Sequence, residues 1–296
     1  MAHPAQPVSP ADRANAARPA LPTTLSATIV LVRHGESTFV AEGRFQGRLD
    51  PPLSPLGERQ ASLVAARLAD RDRGTPLPIP PAGPLAIWHS PLSRAADTAR
   101  AIAAAQPAPT ELHASEALTE IAQGEWEGQM ADQVRARWPA ELERWRHSPT
   151  EHNAPGGERV LDAAARVRAG LGEIIHALAS ASAPMTQAGD EAAARAARQS
   201  DPVPGYPSAL PDGRQPDRWA VLVAHDGIFR LCLLSLLGVP YERFWSFPFN
   251  LCGITVVALA QGVAALRAHN LSDHLAVLAD EERAAAEARG DRRGAL

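Results

Sequence analysis

The stretch ATIVLVRHGEST, Ala27 to Thr38, decides how the rest of the chain is read. Ile29, Val30, Leu31 and Val32 form an unbroken, largely β-branched apolar run. It is too short for a lone helix, so it predicts a strand buried on both faces. The run ends at Arg33-His34-Gly35-Glu36. In an open α/β sheet ligands bind just beyond the carboxyl ends of the strands. At that place this chain offers a guanidinium, an imidazole and a glycine that admits another group close to the backbone. Arginine presents a planar fork of donors that matches phosphate or carboxylate. Histidine is a nucleophile near physiological pH and can carry a phosphoryl group covalently. These residue types in this order point to an anion site with a nucleophile.

Outward from that strand, the pattern of strand, turn and helix recurs. Gly43 to Gly47 reads as a glycine-bracketed loop, and Ser54-Pro55 as an N-cap and first-turn pair. They predict a helix over Pro55 to Ala69, with Leu56, Leu63, Val64 and Leu68 facing the core. A Pro/Gly-rich connector, Gly74 to Pro84, leads to a second apolar run, Leu85 to Trp88, which ends at His89-Ser90-Pro91-Leu92-Ser93-Arg94. Arg94 falls in the first turn of a helix predicted over Ser93 to Ala105, where free N–H groups and the dipole favour an anion. Leu118 to Ile121 precedes a turn-rich segment, Gly124 to Gly128, and one helix is predicted over Ala131 to Arg146. The turn Pro155 to Glu158 launches an amphipathic helix whose predicted inner face is Val160, Leu161, Ala164, Val167, Leu171, Ile174, Ile175 and Leu178. From Ala181 to Asp217 the periodicity vanishes, which predicts a flexible insertion. A third apolar run, Trp219 to Ala224, ends at His225-Asp226-Gly227. A helix over Ile228 to Leu237, stopped by Gly238 and Pro240, follows it. Ile254 to Ala260 and Val263 to His269 pair as a hairpin around Gln261-Gly262.

Strands alternating with helices predict an α/β fold, a three-layer α/β/α sandwich with a mostly parallel central sheet. The expected organisation is a disordered tail over residues 1–24, one domain over 25–279 interrupted at 181–217, and a tail over 280–296. The chain of 296 residues, 45% hydrophobic and 21% charged, has ample material for one large core. Its net charge of -4 carries no basic footprint, so neither nucleic acid nor an acidic membrane surface is an expected partner. Cys232 and Cys252 lie among apolar residues and read as reduced core thiols. The first residues lack the apolar core of a secretion signal and no apolar run is long enough to span a bilayer. The expected compartment is the cytoplasm.

In a mostly parallel sheet the carboxyl ends of the strands share one edge, so Arg33 with His34, Ser90 with Arg94, and His225 are expected to converge. A single histidine or helix-start arginine is ordinarily a surface group. Their coincidence at three strand ends reverses that expectation and makes a phosphate pocket, with arginines on the equatorial oxygens and a histidine in line to accept phosphorus. A proton must also reach the leaving oxygen. Glu120 is the natural donor, although Glu36, Glu125, Glu127 and Glu158 occupy equally loop-like places. The histidines lack paired helical spacing and no cysteine cluster exists, so no metal site is expected.

Leu31 to Ser37 resembles the signature of the histidine phosphatase superfamily, in its phosphoglycerate mutase-like branch. The resemblance extends in order through Gln46-Gly47, Leu49-Asp50, Ser90 to Ala95 with Thr98-Ala99, Leu118 to Ile121 with Trp126-Glu127-Gly128, Pro155 to Glu158, Ala224 to Gly227 and Asn270 to Leu275. It implies a phosphoglycerate mutase-like fold and a phosphomonoesterase acting on a small phosphorylated molecule without metal or other cofactor. It further implies that His34 becomes phosphohistidine. Arg33, Arg94 and His225 would hold the phosphoryl oxygens, with Gln46, Gly47 and Ser90 at the substrate, and Glu120 would serve as general acid and base. Two positions depart from the family pattern: Val40, where an asparagine is frequent, and Asp226, where a second glycine is frequent. The segment from Trp126 to Pro155 lacks the arginine-rich insert of cofactor-dependent mutases, which favours hydrolysis and resembles the broad-specificity and α-ribazole phosphatase branch. The alternatives are a 2,3-bisphosphoglycerate-dependent phosphoglycerate mutase and a non-catalytic phospho-ligand binding module.

Overall fold

The computed structural model describes residues 18–70, 72, 74–181 and 218–281. Its centre is a six-stranded sheet in the order β3-β2-β4-β1-β5-β6. The strands are β1 (Ser26–Arg33), β2 (Ala86–His89), β3 (Glu111–Ala114), β4 (Trp219–Ala224), β5 (Ile254–Ala260) and β6 (Val263–Leu271). β1 runs parallel to β4, β4 to β2 and β2 to β3, whereas β5 is antiparallel to both β1 and β6. The expected three apolar runs and the hairpin are therefore all strands. β3 was not anticipated: Glu111, Leu112, His113 and Ala114 are mixed in character and largely exposed, because this strand is the edge and buries little.

Alternation along the strands builds the two outer layers. Ala27, Ile29 and Leu31 of β1, with Ala220, Leu222 and Ala224 of β4, face α6 (Val160–Ser180) and α7 (Asp226–Leu237). Val30 and Val32, with Val221 and Val223, face α2 (Pro55–Ala69) and α3 (Ser93–Ala105). This is the expected α/β/α sandwich. The short helices α1 (Thr38–Glu42), α4 (Ala131–Arg137) and α5 (Pro139–His147) lie in the long connections.

Several expectations need correction. The single helix expected over Ala131 to Arg146 is two, because Trp138 precedes Pro139 and adopts φ -130, ψ 52, outside the helical region. Leu56, expected in the core, is 39% exposed, and Leu161 is 40% exposed. Each sits about 100° round its helix from the residue that does face inward, Gly57 in α2 and Val160 in α6. The helix expected from Ile228 begins two residues earlier, at Asp226. Residues 18–24, expected in the tail, lie against the fold: Arg18 Nη2 donates to Leu237 O at 3.2 Å and Leu21 packs on the core. The expected insertion, apart from Ala181, and the terminal residues 1–17 and 282–296 lie outside the described residues.

The turn after β1 meets the start of α2 with backbone against backbone at two glycines. A Cβ on Gly35 would come within 2.5 Å of Gly57 O, and one on Gly57 would fall on Glu36 O. Ser54 caps α2 by accepting from Gly57 N at 3.0 Å and also donates to Glu36 Oε1 at 2.7 Å. Gly57→Ala is therefore expected to destabilise the fold by about 1–3 kcal/mol, because only backbone can move to relieve the clash. Urea denaturation monitored by circular dichroism measures this, and a change within about 0.5 kcal/mol would contradict it.

Candidate active site

The carboxyl end of β4 gathers the site. His34 N–H donates to Ala224 O at 3.0 Å, and on the other side of β4 Ser90 N–H donates to Val223 O at 3.0 Å. The turns leaving β1 and β2 are thus pinned beside His225, the residue that follows β4 and caps α7. The rings of His34 and His225 lie 5.1 Å apart between centroids, inclined by 60°. Both are buried, and His225 Nε2 shares a 2.8 Å hydrogen bond with the buried Ser90 Oγ.

Two arginines bound this pair. Arg33 Nη1 donates to Phe249 O at 2.6 Å. Arg94 is fully buried, and donates from Nη1 to Leu49 O at 2.8 Å and from Nη2 to Gly47 O at 3.0 Å. Its helix has no side-chain cap of its own. Asp50 Oδ1 instead accepts from Ser93 N at 2.7 Å and from Ser93 Oγ at 2.8 Å, which ties the loop before α2 to the start of α3. Thr98 links the two turns, accepting from Gly35 N at 3.1 Å and donating to Arg94 O at 2.8 Å. The Nε groups of both Arg33 and Arg94 are buried without a protein acceptor. Buried donors are normally paired, so two unpaired guanidinium N–H groups beside the histidine pair are donors available to an oxyanion.

Burial and charge divide the protonation states. Removal from water, then Arg94 and Arg33, push the His34 pKa well below 6.5, against the opposing pull of Gly35 O. His225 is lowered in the same way by burial, Arg94, His34 and Arg33. His34 Nδ1 lies 2.6 Å from Gly35 O. A carbonyl only accepts, so Nδ1 carries the hydrogen and Nε2 keeps its lone pair. Burial lowers Arg94 to about 10, opposed chiefly by Glu120 and Asp50, so the guanidinium remains charged at neutral pH.

Of the five carboxylates open at the sequence level, Glu120 is the one placed beside these groups. Its Oε1 accepts from Ile121 N at 2.9 Å and its Oε2 from Gly227 N at 3.3 Å, in the first turn of α7. A Cβ on Gly227 would lie 2.7 Å from Glu120 Oε1, so that glycine makes room for the carboxylate. Burial, reinforced by Asp226, raises the Glu120 pKa although Ile121 N, Arg94 and Gly227 N oppose it. Glu36 is engaged by Ser54 Oγ, Glu127 Oε1 accepts from Arg48 N and Gln123 N, and Glu125 is exposed. Glu158 pairs with Arg166 at 2.8 Å and Arg48 at 3.1 Å. Those same arginines donate to the Glu120 carbonyl, Arg48 Nε at 3.1 Å and Arg166 Nη2 at 3.2 Å. Arg48 and Arg166 escaped the sequence reading, since they lie 72 and 46 residues from Glu120 and belong to no local pattern.

The remaining expected residues are close but differently engaged. Gln46 Oε1 accepts from Ser37 Oγ at 2.6 Å, and Gly47, at φ 50, contributes its carbonyl to Arg94. Val40 is half-buried on α1, with its N–H donating to Ser37 Oγ at 3.2 Å. Asp226 pairs with Arg230 at 3.1 Å, which answers the charge that glycine would not bring. Among the described residues no group of three or more His, Cys, Asp or Glu is placed to hold a metal ion.

Comparison with known proteins gives a consistent result. The model of the histidine phosphatase superfamily (branch 1) matches residues 29–183 and 178–272. Phosphoserine phosphatase 1 of Hydrogenobacter thermophilus is 27% identical over 247 residues, 83% of this chain and 93% of that protein. Glucosyl-3-phosphoglycerate phosphatase of Mycobacterium tuberculosis is 32% identical over 217 residues, 73% of this chain and 78% of that one. The solved structure of a mycobacterial glucosyl-3-phosphoglycerate phosphatase with VO3 superposes with a TM-score of 0.61 at 26% identity, covering 83% of this chain and 99% of its own.

Both site histidines bind protons less readily in the folded protein than in the unfolded chain. Below about pH 6.5 the unfolded state therefore binds more protons, and stability falls with falling pH by up to about 1.4 kcal/mol per pH unit for each histidine. Glu120, raised from 4.5, acts with the opposite sign nearer its own range. Between pH 7 and pH 5.5 the wild-type protein is expected to lose more stability in urea denaturation than a His34→Asn, His225→Asn double variant. Equal losses would contradict the assignment of two neutral imidazoles.

Proposed function

The chain belongs to the histidine phosphatase superfamily, branch 1, and is a phosphomonoesterase, and on that premise we propose that it hydrolyses a small phosphorylated molecule through a phosphohistidine on His34. The observation that carries this reading is the convergence, at the end of β4, of two neutral imidazoles and two guanidinium groups with buried, unpaired Nε donors.

Arg33, Arg94 and His225 hold the phosphoryl oxygens, with Ser90 orienting His225. His34 Nε2 attacks phosphorus as the P–O bond to the leaving group breaks. Gly35 O holds the Nδ1 hydrogen throughout and stabilises the ring as it becomes positive. Glu120, whose pKa burial raises, gives its proton to the leaving oxygen. In the second half-reaction the Glu120 carboxylate takes a proton from water, the water oxygen bonds to phosphorus, and the P–N bond breaks to return His34 with inorganic phosphate. No step asks for a metal. Phosphoserine, glucosyl-3-phosphoglycerate and α-ribazole phosphate are candidate substrates by similarity. We place the reaction in the cytoplasm: Cys232 and Cys252 are free and buried, with burial pushing the Cys232 thiol up to about 12, and no helix among the described residues is long and apolar enough to cross a membrane.

Phosphate release from p-nitrophenyl phosphate and a panel containing those esters and 3-phosphoglycerate is expected to survive EDTA and to vanish in a folded His34→Ala variant. Unchanged turnover in that variant would overturn the nucleophile assignment. Glu120→Gln is expected to lower kcat by about 10²–10⁴ on alkyl esters and much less on p-nitrophenyl phosphate, whose leaving group needs no proton. Isomerisation of 3-phosphoglycerate that requires 2,3-bisphosphoglycerate would instead support the mutase reading, and phosphate binding without turnover the binding-module reading.

A further inference from the structure

Arg33 is held twice by one short loop. Cys252 N–H donates to Arg33 O at 3.0 Å, and Phe249 O accepts from Arg33 Nη1 at 2.6 Å. The same few residues thus fix both the main chain and the guanidinium of one arginine. The loop has little of its own to hold it in that shape. Its internal bond is Gly253 N to Asn250 O at 2.9 Å, and Cys252 stands at φ 52, in the left-handed region that a non-glycine residue enters at a cost.

Phe249 and Cys252 are anchored in the core, and the polar ties on the loop come from the end of the domain, the segment Asn270 to Leu275, which takes no part in the proposed chemistry. Asn270 Oδ1 accepts from Asn250 N at 2.7 Å and lies against Gly253, where an added Cβ would collide with it. Asn270 is itself at φ 54, and its N–H donates to Thr255 Oγ1 at 3.0 Å. Asparagine is among the few residues that accept such a φ readily. His274 Nε2 lies 3.1 Å from Cys252 O, so the ring nitrogen donates there. Burial lowers the His274 pKa, against Cys252 O and Asp273, which keeps the ring neutral with its hydrogen on Nε2.

We infer that Asn270 and His274 are positioning residues for Arg33, setting the direction of its guanidinium through the loop from Phe249 to Gly253. Neither side chain is bonded to His34, His225, Arg94 or Glu120. They act by pinning Asn250 N, in the same peptide as Phe249 O, and Cys252 O, in the same residue as Cys252 N, next to the two groups that reach Arg33. A phosphate cradle is sensitive to such placement, since a displacement near 1 Å can cost about a hundredfold in rate. The inference rests on the reading that Arg33 binds the phosphoryl group.

The test is a double-mutant cycle. Asn270→Gly keeps the left-handed backbone and removes the acceptor, and His274→Ala removes the donor. Asn270→Asp and His274→Gln keep acceptor and donor. Each is made with Arg33 and with Arg33→Ala, and kcat/KM on p-nitrophenyl phosphate and the Kd for inorganic phosphate are measured, with melting curves recorded for every variant. With Arg33 present, Asn270→Gly and His274→Ala are expected to lower kcat/KM and phosphate affinity about tenfold, and the conservative variants to stay within about threefold of wild type. In the Arg33→Ala background the same changes should have almost no effect. Equal losses in both backgrounds, or unchanged kinetics in folded variants, would overturn the inference. Should one truncation not fold, the other carries the same comparison. If Arg33→Ala itself leaves phosphate affinity and kcat/KM unchanged, the phosphate role of Arg33 fails and the inference with it.

Discussion

The parallel register of β1 and β4, with Arg33 beside Ala224, is the constraint on which the site depends. The two ladder bonds that follow it, His34 N to Ala224 O and Ser90 N to Val223 O, fix three chain crossings to one strand end. Side chains alternate faces along a strand, so a slip of one residue would turn His34 away from His225. Nothing weaker than a buried ladder between valine- and leucine-rich strands would enforce that register. The apolar runs that look like mere core material therefore also place the chemistry.

Burial then does the electrostatic work. It lowers the pKa of His34 and His225 well below 6.5, raises that of Glu120, and brings Arg94 to about 10, still charged at neutral pH. Desolvation penalises the charged form of whichever group it meets, so one cause pushes the two imidazoles and the Glu120 carboxyl alike toward their neutral forms. Arg94 escapes neutralisation through its high intrinsic basicity and the charges of Glu120 and Asp50, and carbonyls receive the N–H groups of both arginines: Phe249 O for Arg33, and Gly47 O and Leu49 O for Arg94. Loops far apart in the chain provide those carbonyls, which makes the site a meeting of loops on a rigid sheet edge.

Most of the loop wiring runs between charged side chains and backbone. Asp50 caps the helix that carries Arg94, and Glu158 steadies Arg48 and Arg166 as they hold the Glu120 carbonyl. The Glu158 carboxyl, which burial alone would raise, is held below its ordinary value by the bonds and charge of Arg166 together with Arg48. Carboxylates that look interchangeable in the sequence thus separate in the structure into one held at Gly227, in the first turn of α7, and several that serve as struts.

The amino-acid sequence by itself determined the strand runs, the helices with local caps and the residues standing at three strand ends, because hydrophobic periodicity, Ser54-Pro55 and Gly238 act within one or two turns of chain. It fell short where the signal was not local. β3 buries too little to show a pattern, and Leu56 and Leu161 are apolar residues whose direction depends on a neighbour's turn around the helix. Only the tertiary structure decided which glutamate lies against the first turn of α7 after His225, which His34 nitrogen is left free, and which carbonyls receive the N–H groups of Arg33 and Arg94. Those are matters of hydrogen bonds between segments tens to hundreds of residues apart, and periodicity carries no information about partners at that range.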